Sequence, residues 1–348
     1  MADTLQEAPP TRSTTGRQSG PFPTAAARRR YWLIVAALGV LTVLVCYGTL
    51  AWANPMPLGS VGFWRIAELR ATNLIVIIVV AFCQAIGTIA FQTATTNRIL
   101  TPSIMGFESL YRAVQTAVAF SFGATGMILL QGVWQYLLQI VLMVGFAAGL
   151  YGWLLTGRYA NLQIMLLVGI ILGGGLGAVA TFLQRMLSPT VFDLLTARLI
   201  GSIANADATY LAIAIPLAAV SGGLLWVGSR RLDVMALGRQ AAINLGLNHS
   251  RLMIVVLLLV SVLIAVSTSL VGPMTFFGFL VAMLTYQIAE THDHRYLFAV
   301  GWLTGIVVLG GGYFVLRNIF YAQGAVGVII EIVGGTFFLI YLLRKGRL

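Results

Sequence analysis

Long apolar stretches follow one another along almost the whole chain, and this succession limits the folds that the sequence can adopt. A helix needs roughly 20 apolar residues to cross the roughly 30 Å hydrocarbon core of a membrane. About ten stretches have suitable lengths: 31–53, 72–94, 102–123, 132–156, 163–186, 207–228, 252–271, 274–290, 296–316 and 326–343. The sequence therefore predicts an all-α, polytopic membrane protein with about ten transmembrane helices.

The composition supports a chain without a water-soluble catalytic domain. Only 9% of the residues are charged, whereas a soluble domain carries about 25%. Residues 1–30 are rich in Pro, Ser and Thr and lack hydrophobic periodicity, so we expect a disordered, basic cytoplasmic tail. Residues 31–348 are expected to form one transmembrane domain.

The net charge of +11 is distributed in a way that predicts orientation in a membrane and no binding of nucleic acid. With the N-terminus inside, five basic residues fall outside: Arg65, Arg70, Arg185, Arg198 and Arg317. Fifteen fall inside: Arg12, Arg17, Arg28, Arg29, Arg30, Arg98, Arg158, Arg230, Arg231, Arg239, Arg251, Arg295, Arg344, Lys345 and Arg347. An excess of Lys and Arg marks cytoplasmic loops. We therefore expect an even number of spans with both termini cytoplasmic.

The residues needed for several kinds of catalysis are absent. A P-loop needs Lys followed by Ser or Thr, but the single lysine, Lys345, precedes a glycine. His292 and His294 flank an aspartate in a predicted loop without nearby cysteines, which favours solvated loop residues over a metal site. The sequence thus predicts no ATPase site, no metal and no directly bound cofactor.

A few ionisable residues within predicted spans are candidates for a translocation path. Charges at the centre of a span are costly, so they need partners or a function. Glu108 and Arg112 are four residues apart and are neighbours on one helix face. They form either a self-neutralising pair or part of a path. Glu331 is similarly isolated, with Arg317 as a candidate partner. Glycine clusters at 172–178 and 309–312 allow either tight helix packing or broken helices.

The polar segment from Met235 to Arg251 interrupts the apolar pattern on the predicted cytoplasmic side. Gly238, Ala242, Leu245 and Gly246 place mostly small residues at intervals that form one face of a short helix, with Arg239 and Asn244 elsewhere. A helix with such a face is expected to seat in a groove on another protein.

Four motifs in the same order resemble the FecCD-like permeases of ABC importers for iron-siderophores, haem and vitamin B12. "LGRQAAINLGLN" is similar to their cytoplasmic coupling segment through Leu237, Gly238, Ala242, Leu245 and Gly246, with Arg239 in place of the usual Glu. The other three motifs are "FQTATTNRILTPSIMGFESL" (91–110), "VGPMTFFGFLV" (271–281) and "AVGVIIEIVGGTFFLIYLLRK" (325–345). Departures at Ala282, Met283 and Tyr286, at 97–102 and at 323–325 favour a ferric siderophore over vitamin B12.

The resemblance implies a type II ABC importer permease whose coupling segment, at about 230–251, contacts an ATPase. It implies two separate ATPase subunits that use ATP, a second permease that is a different related chain, and an extracytoplasmic binding protein, all at a bacterial cytoplasmic membrane. The coupling residues would be Leu237, Gly238, Arg239, Ala242, Asn244, Leu245 and Gly246. Residues that could line the path are Gln92, Glu108, Arg112 and Glu331. The alternatives are an ion-gradient-driven secondary transporter and a permease for haem or vitamin B12.

Overall fold

The computed structural model describes residues 20–52, 54–57, 59–156, 162–203, 206–320 and 326–345, and this part of the chain is helical without strands. A 3-10 turn spans Pro102–Met105. The α-helices are α1 Ala25–Ala51, α2 Val61–Ala94, α3 Phe107–Leu129, α4 Val133–Thr156, α5 Leu162–Arg185, α6 Pro189–Leu199, α7 Ala208–Val227, α8 Ser229–Met235, α9 Arg239–Asn244, α10 His249–Val271, α11 Phe277–Ala289, α12 His294–Asn318 and α13 Val326–Lys345.

The predicted all-α membrane architecture is confirmed. Each of the ten predicted spans overlaps one helix, and seven of these helices are long and apolar enough to cross a membrane: α1, α2, α4, α5, α7, α10 and α12. The apolar helices α11 and α13 supply shorter apolar segments. The remaining predicted span corresponds to α3. The short helices α6, α8 and α9 lie between spans; α9 falls in the segment predicted to hold a short helix, whereas α6 and α8 were not predicted as separate elements.

The helices α2 and α10 form the centre of the bundle. In α2, 78% of the most apolar 18-residue window is buried within the chain, and in α10 67%. The corresponding windows of α1 and α5 are 6% and 17% buried. Because these two helices are apolar but hardly covered by their own chain, their outer faces are left for lipid or for another protein.

The first helix begins six residues before the predicted boundary at residue 31. The Thr24 hydroxyl accepts from the N–H of Ala27 at 3.1 Å and caps the helix. Phe22 is buried beside Tyr31 and Tyr296, with ring centroids 5.1 and 5.0 Å away. The predicted disorder of residues 1–30 is therefore wrong for residues 20–30, because this aromatic cluster and the cap order them. Residues 1–19 lie outside the described residues.

The chain returns toward the middle of the bundle after α2 before α3 begins. Thr96 takes the left-handed conformation (φ 48°) and ends α2. A Cβ added to Gly173 of α5 would lie 2.8 Å from Cα of Gly106, so the two backbones touch. Gly173 lies 11 residues beyond the start of α5, about 16 Å along its axis. The predicted span 102–123 thus begins as a re-entrant segment, and α3 starts near the middle of α5.

The glycine clusters serve close packing and do not break their helices. The helices α5 and α12 continue through 172–178 and 309–312, so the broken-helix alternative is wrong for both. Besides the Gly173 contact, a Cβ on Gly310 would lie 2.6 Å from Cγ1 of Val45. The non-helical glycine within a helix is instead Gly123 (φ 61°, ψ −162°), where α3 kinks and where the predicted span ended.

Basic residues of the two predicted membrane sides lie at opposite ends of the 25-residue α12. At the end that carries α8 and α9, hereafter the α9 end, Arg30 pairs with Glu290 and Arg98 stacks over the ring of Tyr286. At the opposite end, Arg70 donates to the carbonyl of Trp52. There, Arg317 donates to the Tyr313 hydroxyl and Arg198 to the carbonyl of Met127. Arg12, Arg17, Arg158 and Arg347 lie outside the described residues.

Candidate functional site

A glycine lies at each end of the short helix α9, which lies at the surface of the α9 end. Gly238 (φ 95°) precedes α9 and Gly246 (φ 83°) follows it. Beyond the helix, Gly246 N–H donates to the carbonyl of Ile243 at 2.9 Å and Leu247 N–H to that of Ala242 at 3.0 Å. This pair of bonds is the Schellman closure, which favours glycine at the left-handed position. We call residues 229–248 the α8–α9 segment.

The α8–α9 segment exposes apolar side chains to its surroundings. Leu237, Ile243 and Leu245 are 65%, 51% and 62% exposed, and Arg239 and Asn244 are also exposed. Large exposed apolar side chains close together outside the apolar spans indicate a contact surface.

The predicted face of small residues is wrong in its physical detail. Ala242 is completely buried within the chain. Gly238 and Gly246 act as turn residues with positive φ, so they do not form a packing face. Of the four residues predicted to make that face, Leu245 alone offers a large exposed side chain. The surface that is free to bind therefore consists of the exposed apolar side chains next to and between two glycine turns.

Arg112 and Glu331 line one cavity of about 350 Å³ between α3, α5, α6 and α13. Thr181 and Gln184 of α5 add polar atoms to the same wall. The full lining is Arg112, Gly177, Ala180, Thr181, Gln184, Phe192, Thr196, Leu199, Ile200, Gly201, Pro273, Gly327, Val328 and Glu331. The structure thus brings together two of the four residues that the sequence suggested for a path.

Glu108 does not pair with Arg112. The Glu108 carboxyl is buried and accepts from the Thr275 hydroxyl at 2.5 Å, while Arg112 is exposed and lines the cavity. Within the described ranges the ion pairs are Arg30–Glu290, His294–Asp233 and Arg295–Asp293. The predicted self-neutralising pair is therefore wrong. The suggested Glu331–Arg317 pair does not form either.

Gln92 lies apart from this cavity. Its side-chain amide donates to the carbonyl of Arg98 at 2.7 Å, so it closes the turn that follows α2 at the α9 end. It is 2% exposed and borders a different cavity of about 170 Å³, which is also lined by Thr96 and Arg98. The geometry gives Gln92 a structural role in the re-entrant segment.

Two clusters of polar side chains were not predicted from the sequence. Near the opposite end, a cavity of about 360 Å³ is lined by glutamine and tyrosine side chains, including Gln115, Gln135, Gln139, Tyr136 and Tyr210. The four-residue spacing of Gln135 and Gln139 in α4 was a signal that could have marked this face.

The second group links Asp233, His294 and Thr93. His294 was expected to be a solvated loop residue, but its side chain is 3% exposed and bonded to Asp233 and Thr93. No local sequence pattern indicates this group, because its members come from three separate helices.

The sequence matches the FecCD transport family over residues 32–345. The chain belongs to the FecCD transport family. It is 44% identical over 332 residues to the petrobactin import system permease protein FatC of Bacillus anthracis, covering 95% of this chain and 94% of the relative. It is 33% identical over 278 residues to the petrobactin import system permease protein YclO of Bacillus subtilis, covering 80% and 88%.

The fold of this FecCD family member is also that of a solved transporter. The structure of a metal-chelate type ABC transporter in an inward-facing conformation superposes with a TM-score of 0.77 at 20% identity. The superposition covers 90% of this chain and 99% of the solved chain. At this identity the likeness establishes the fold, and it agrees with the predicted permease architecture.

Proposed function

We propose that the chain is the membrane-spanning permease of an ABC importer that carries iron bound to a siderophore, with petrobactin as the first candidate. Both relatives described above are named as petrobactin permeases, and the matches span at least 80% of each chain. This makes a siderophore a better candidate than haem or vitamin B12. The chain would lie in a bacterial cytoplasmic membrane, with both termini on the cytoplasmic side.

The α8–α9 segment carries the proposal that separate ATPases drive the transport. Three exposed apolar side chains lie within nine residues, Leu237–Leu245, and are held by two positive-φ glycines at the basic end of the bundle. A short surface helix with exposed apolar side chains in it and on either side of it is suited to a groove on another protein. We assign this groove to an ATPase, with one ATPase for each of two permeases. In an ion-driven secondary transporter, this surface would have no role.

The cavity around Arg112 and Glu331 supports the proposed position of the cargo path. It is formed by helices that include the sparsely covered α5, so a second permease packed against that face would enclose it. We propose that the second permease is a different, related chain. An extracytoplasmic binding protein would deliver the chelate to the opposite end of the pair.

The test is the variant Leu245→Asp in the importer purified from its native membrane. Burying an unpaired carboxylate in an apolar groove is costly. We therefore expect the ATPase subunit to be lost from the purified complex, while the permease remains in the membrane. Quantitative mass spectrometry of the purified complex measures this directly.

The matched control is Ile319→Asp, because Ile319 is 60% exposed, close to the 62% of Leu245, but follows α12 at the opposite end. We expect this variant to retain the ATPase. Equal ATPase content in the wild-type chain and Leu245→Asp would refute the docking role of the segment.

A further inference from the structure

A largely buried hydrogen-bond chain joins the α8–α9 segment to two helices that are remote in sequence. The carboxylate of Asp233 on α8 accepts from the backbone N–H of His294 at 2.9 Å, and its Oδ1 lies 2.5 Å from the ring Nδ1. The other ring nitrogen, Nε2, lies 2.7 Å from the hydroxyl of Thr93 in the last turn of α2. The three residues thus connect α8, the start of α12 and the end of α2.

The hydrogen-bond partners of Thr93 and of the His294 ring define this link. The Thr93 hydroxyl lies 3.0 Å from the carbonyl of Ile89, to which it can donate, and 2.7 Å from Nε2 of His294. An ionised carboxylate only accepts, so Nδ1 donates to Asp233. The His294 side chain is 3% exposed, and Asp233 and Thr93 are the hydrogen-bond partners of its ring. Removing Asp233 would leave a buried ring nitrogen without its partner, which is costly.

The link reaches the centre of the protein by a route that the covalent chain does not provide. Along the chain, the α8–α9 segment is continuous only with α7 and α10. The hydrogen-bond chain adds α2 and α12, which are themselves bonded along their length. Trp302 donates to the carbonyl of Ile78 at 3.1 Å, and Asn73 donates to the Tyr313 hydroxyl at 3.0 Å. Movement of α8 would therefore be passed to two helices that extend to the opposite end.

We propose that Asp233 and His294 are positioning residues that transmit movement of the α8–α9 segment to α2 and α12 during transport. This rests on the proposed function, in which an ATPase docks on that segment. The pair makes no contact with cargo. Loss of the Asp233–His294 pair is expected to uncouple ATP hydrolysis from transport without preventing assembly of the importer.

The experiment uses the complete importer, with its ATPase, second permease and binding protein, reconstituted in lipid vesicles. ATP hydrolysis and uptake of radioactive iron bound to petrobactin are measured in the same vesicles. For Asp233→Ala we expect hydrolysis near the wild-type rate and about tenfold less iron transported per ATP, within the range that such coupling residues show. Thr93→Val, which keeps the shape of the side chain and leaves the Asp233–His294 hydrogen bond in place, is expected to lower the same ratio by a smaller factor.

The control is Asp293→Asn, one residue before His294. Burial raises the pKa of Asp293, but the hydrogen bonds and charge of Arg295 outweigh it and hold the pKa below its ordinary value. Asp293 caps α12 and pairs with Arg295 of the same helix. Asparagine caps equally well, so we expect an unchanged ratio.

The outcomes separate this proposal from the proposed function. A wild-type ratio in Asp233→Ala and Thr93→Val would overturn the positioning role while leaving the importer assignment intact. A wild-type complex that contains no ATPase would overturn both. If the importer with Asp233→Ala does not assemble, the iron transported per ATP in Thr93→Val tests the positioning role instead.

Discussion

At the scale of single residues, Arg112 is the charged group that we propose meets cargo. It is exposed in the cavity, and no ion pair holds it within the described part of the chain. A guanidinium presents several donors in a fixed geometry that suits oxygen acceptors on a chelate. Glu108, by contrast, is buried and bonded to Thr275, so we expect it to stabilise packing.

The substitution Arg112→Gln tests this role. Loss of one charge-assisted hydrogen bond to cargo costs about 1.5 kcal/mol, equivalent to about tenfold in affinity. We expect iron uptake to fall by about that factor, with the amount of bound ATPase unchanged. Arg65→Gln, an exposed arginine of α2 that does not line the cavity, is the control. Equal uptake by Arg112→Gln and Arg65→Gln would remove Arg112 from the path.

At the scale of helices, one close contact beside the candidate path joins α5 to the re-entrant segment that leads into α3. The backbones of Gly106 and Gly173 touch, and further along Gln184 donates to the Thr116 hydroxyl at 3.0 Å. Because both helices line the cavity, their separation sets its width. Small residues at such a contact permit close approach of helices in lipid.

The substitution Gly173→Ala should therefore destabilise the protein. Its Cβ would lie 2.8 Å from backbone atoms of Gly106, which cannot rotate away. We expect a loss of about 1–3 kcal/mol, typical of overpacking, measured by thermal unfolding in detergent. Gly174→Ala is the control, since its Cβ would meet nothing within 4 Å. If the two variants unfold at the same temperature, the close contact does not form.

The helices that could be predicted from sequence are those defined by length and hydropathy alone. The α10 prediction, 252–271, ends where the helix ends, because apolar content and the following Gly272–Pro273 are local signals. The start of α3 could not be predicted, because residues 102–106 are apolar enough to read as a span. The re-entrant path depends on a glycine contact with α5, 67 residues further along the chain.

The candidate site was also predictable from the sequence only in part. Sequence motifs identified the α8–α9 segment, whose glycines have a fixed backbone role. The docking surface was assigned to small residues because sequence spacing does not show that Ala242 is buried. Asp233 and His294 were missed, because their pairing joins residues 61 positions apart.

At the scale of the whole molecule, the bundle has two specialised ends joined by the long central helices. The α9 end carries the exposed apolar segment and the Asp233–His294 link. The cavity with Arg112 and Glu331 lies between α3, α6, α13 and α5, and the outer face of α5 is left largely uncovered by the chain. This arrangement fits a permease that responds to one partner at one end and encloses cargo with another along its side.

The most direct test of this account is the energy source of transport. Uptake of petrobactin-bound iron is measured in vesicles that contain the complete importer, with ionophores present to abolish proton and sodium gradients. We expect uptake that continues with ATP under these conditions and stops with a non-hydrolysable ATP analogue. Uptake that proceeds without ATP and collapses with the ionophores would contradict it and establish an ion-driven transporter.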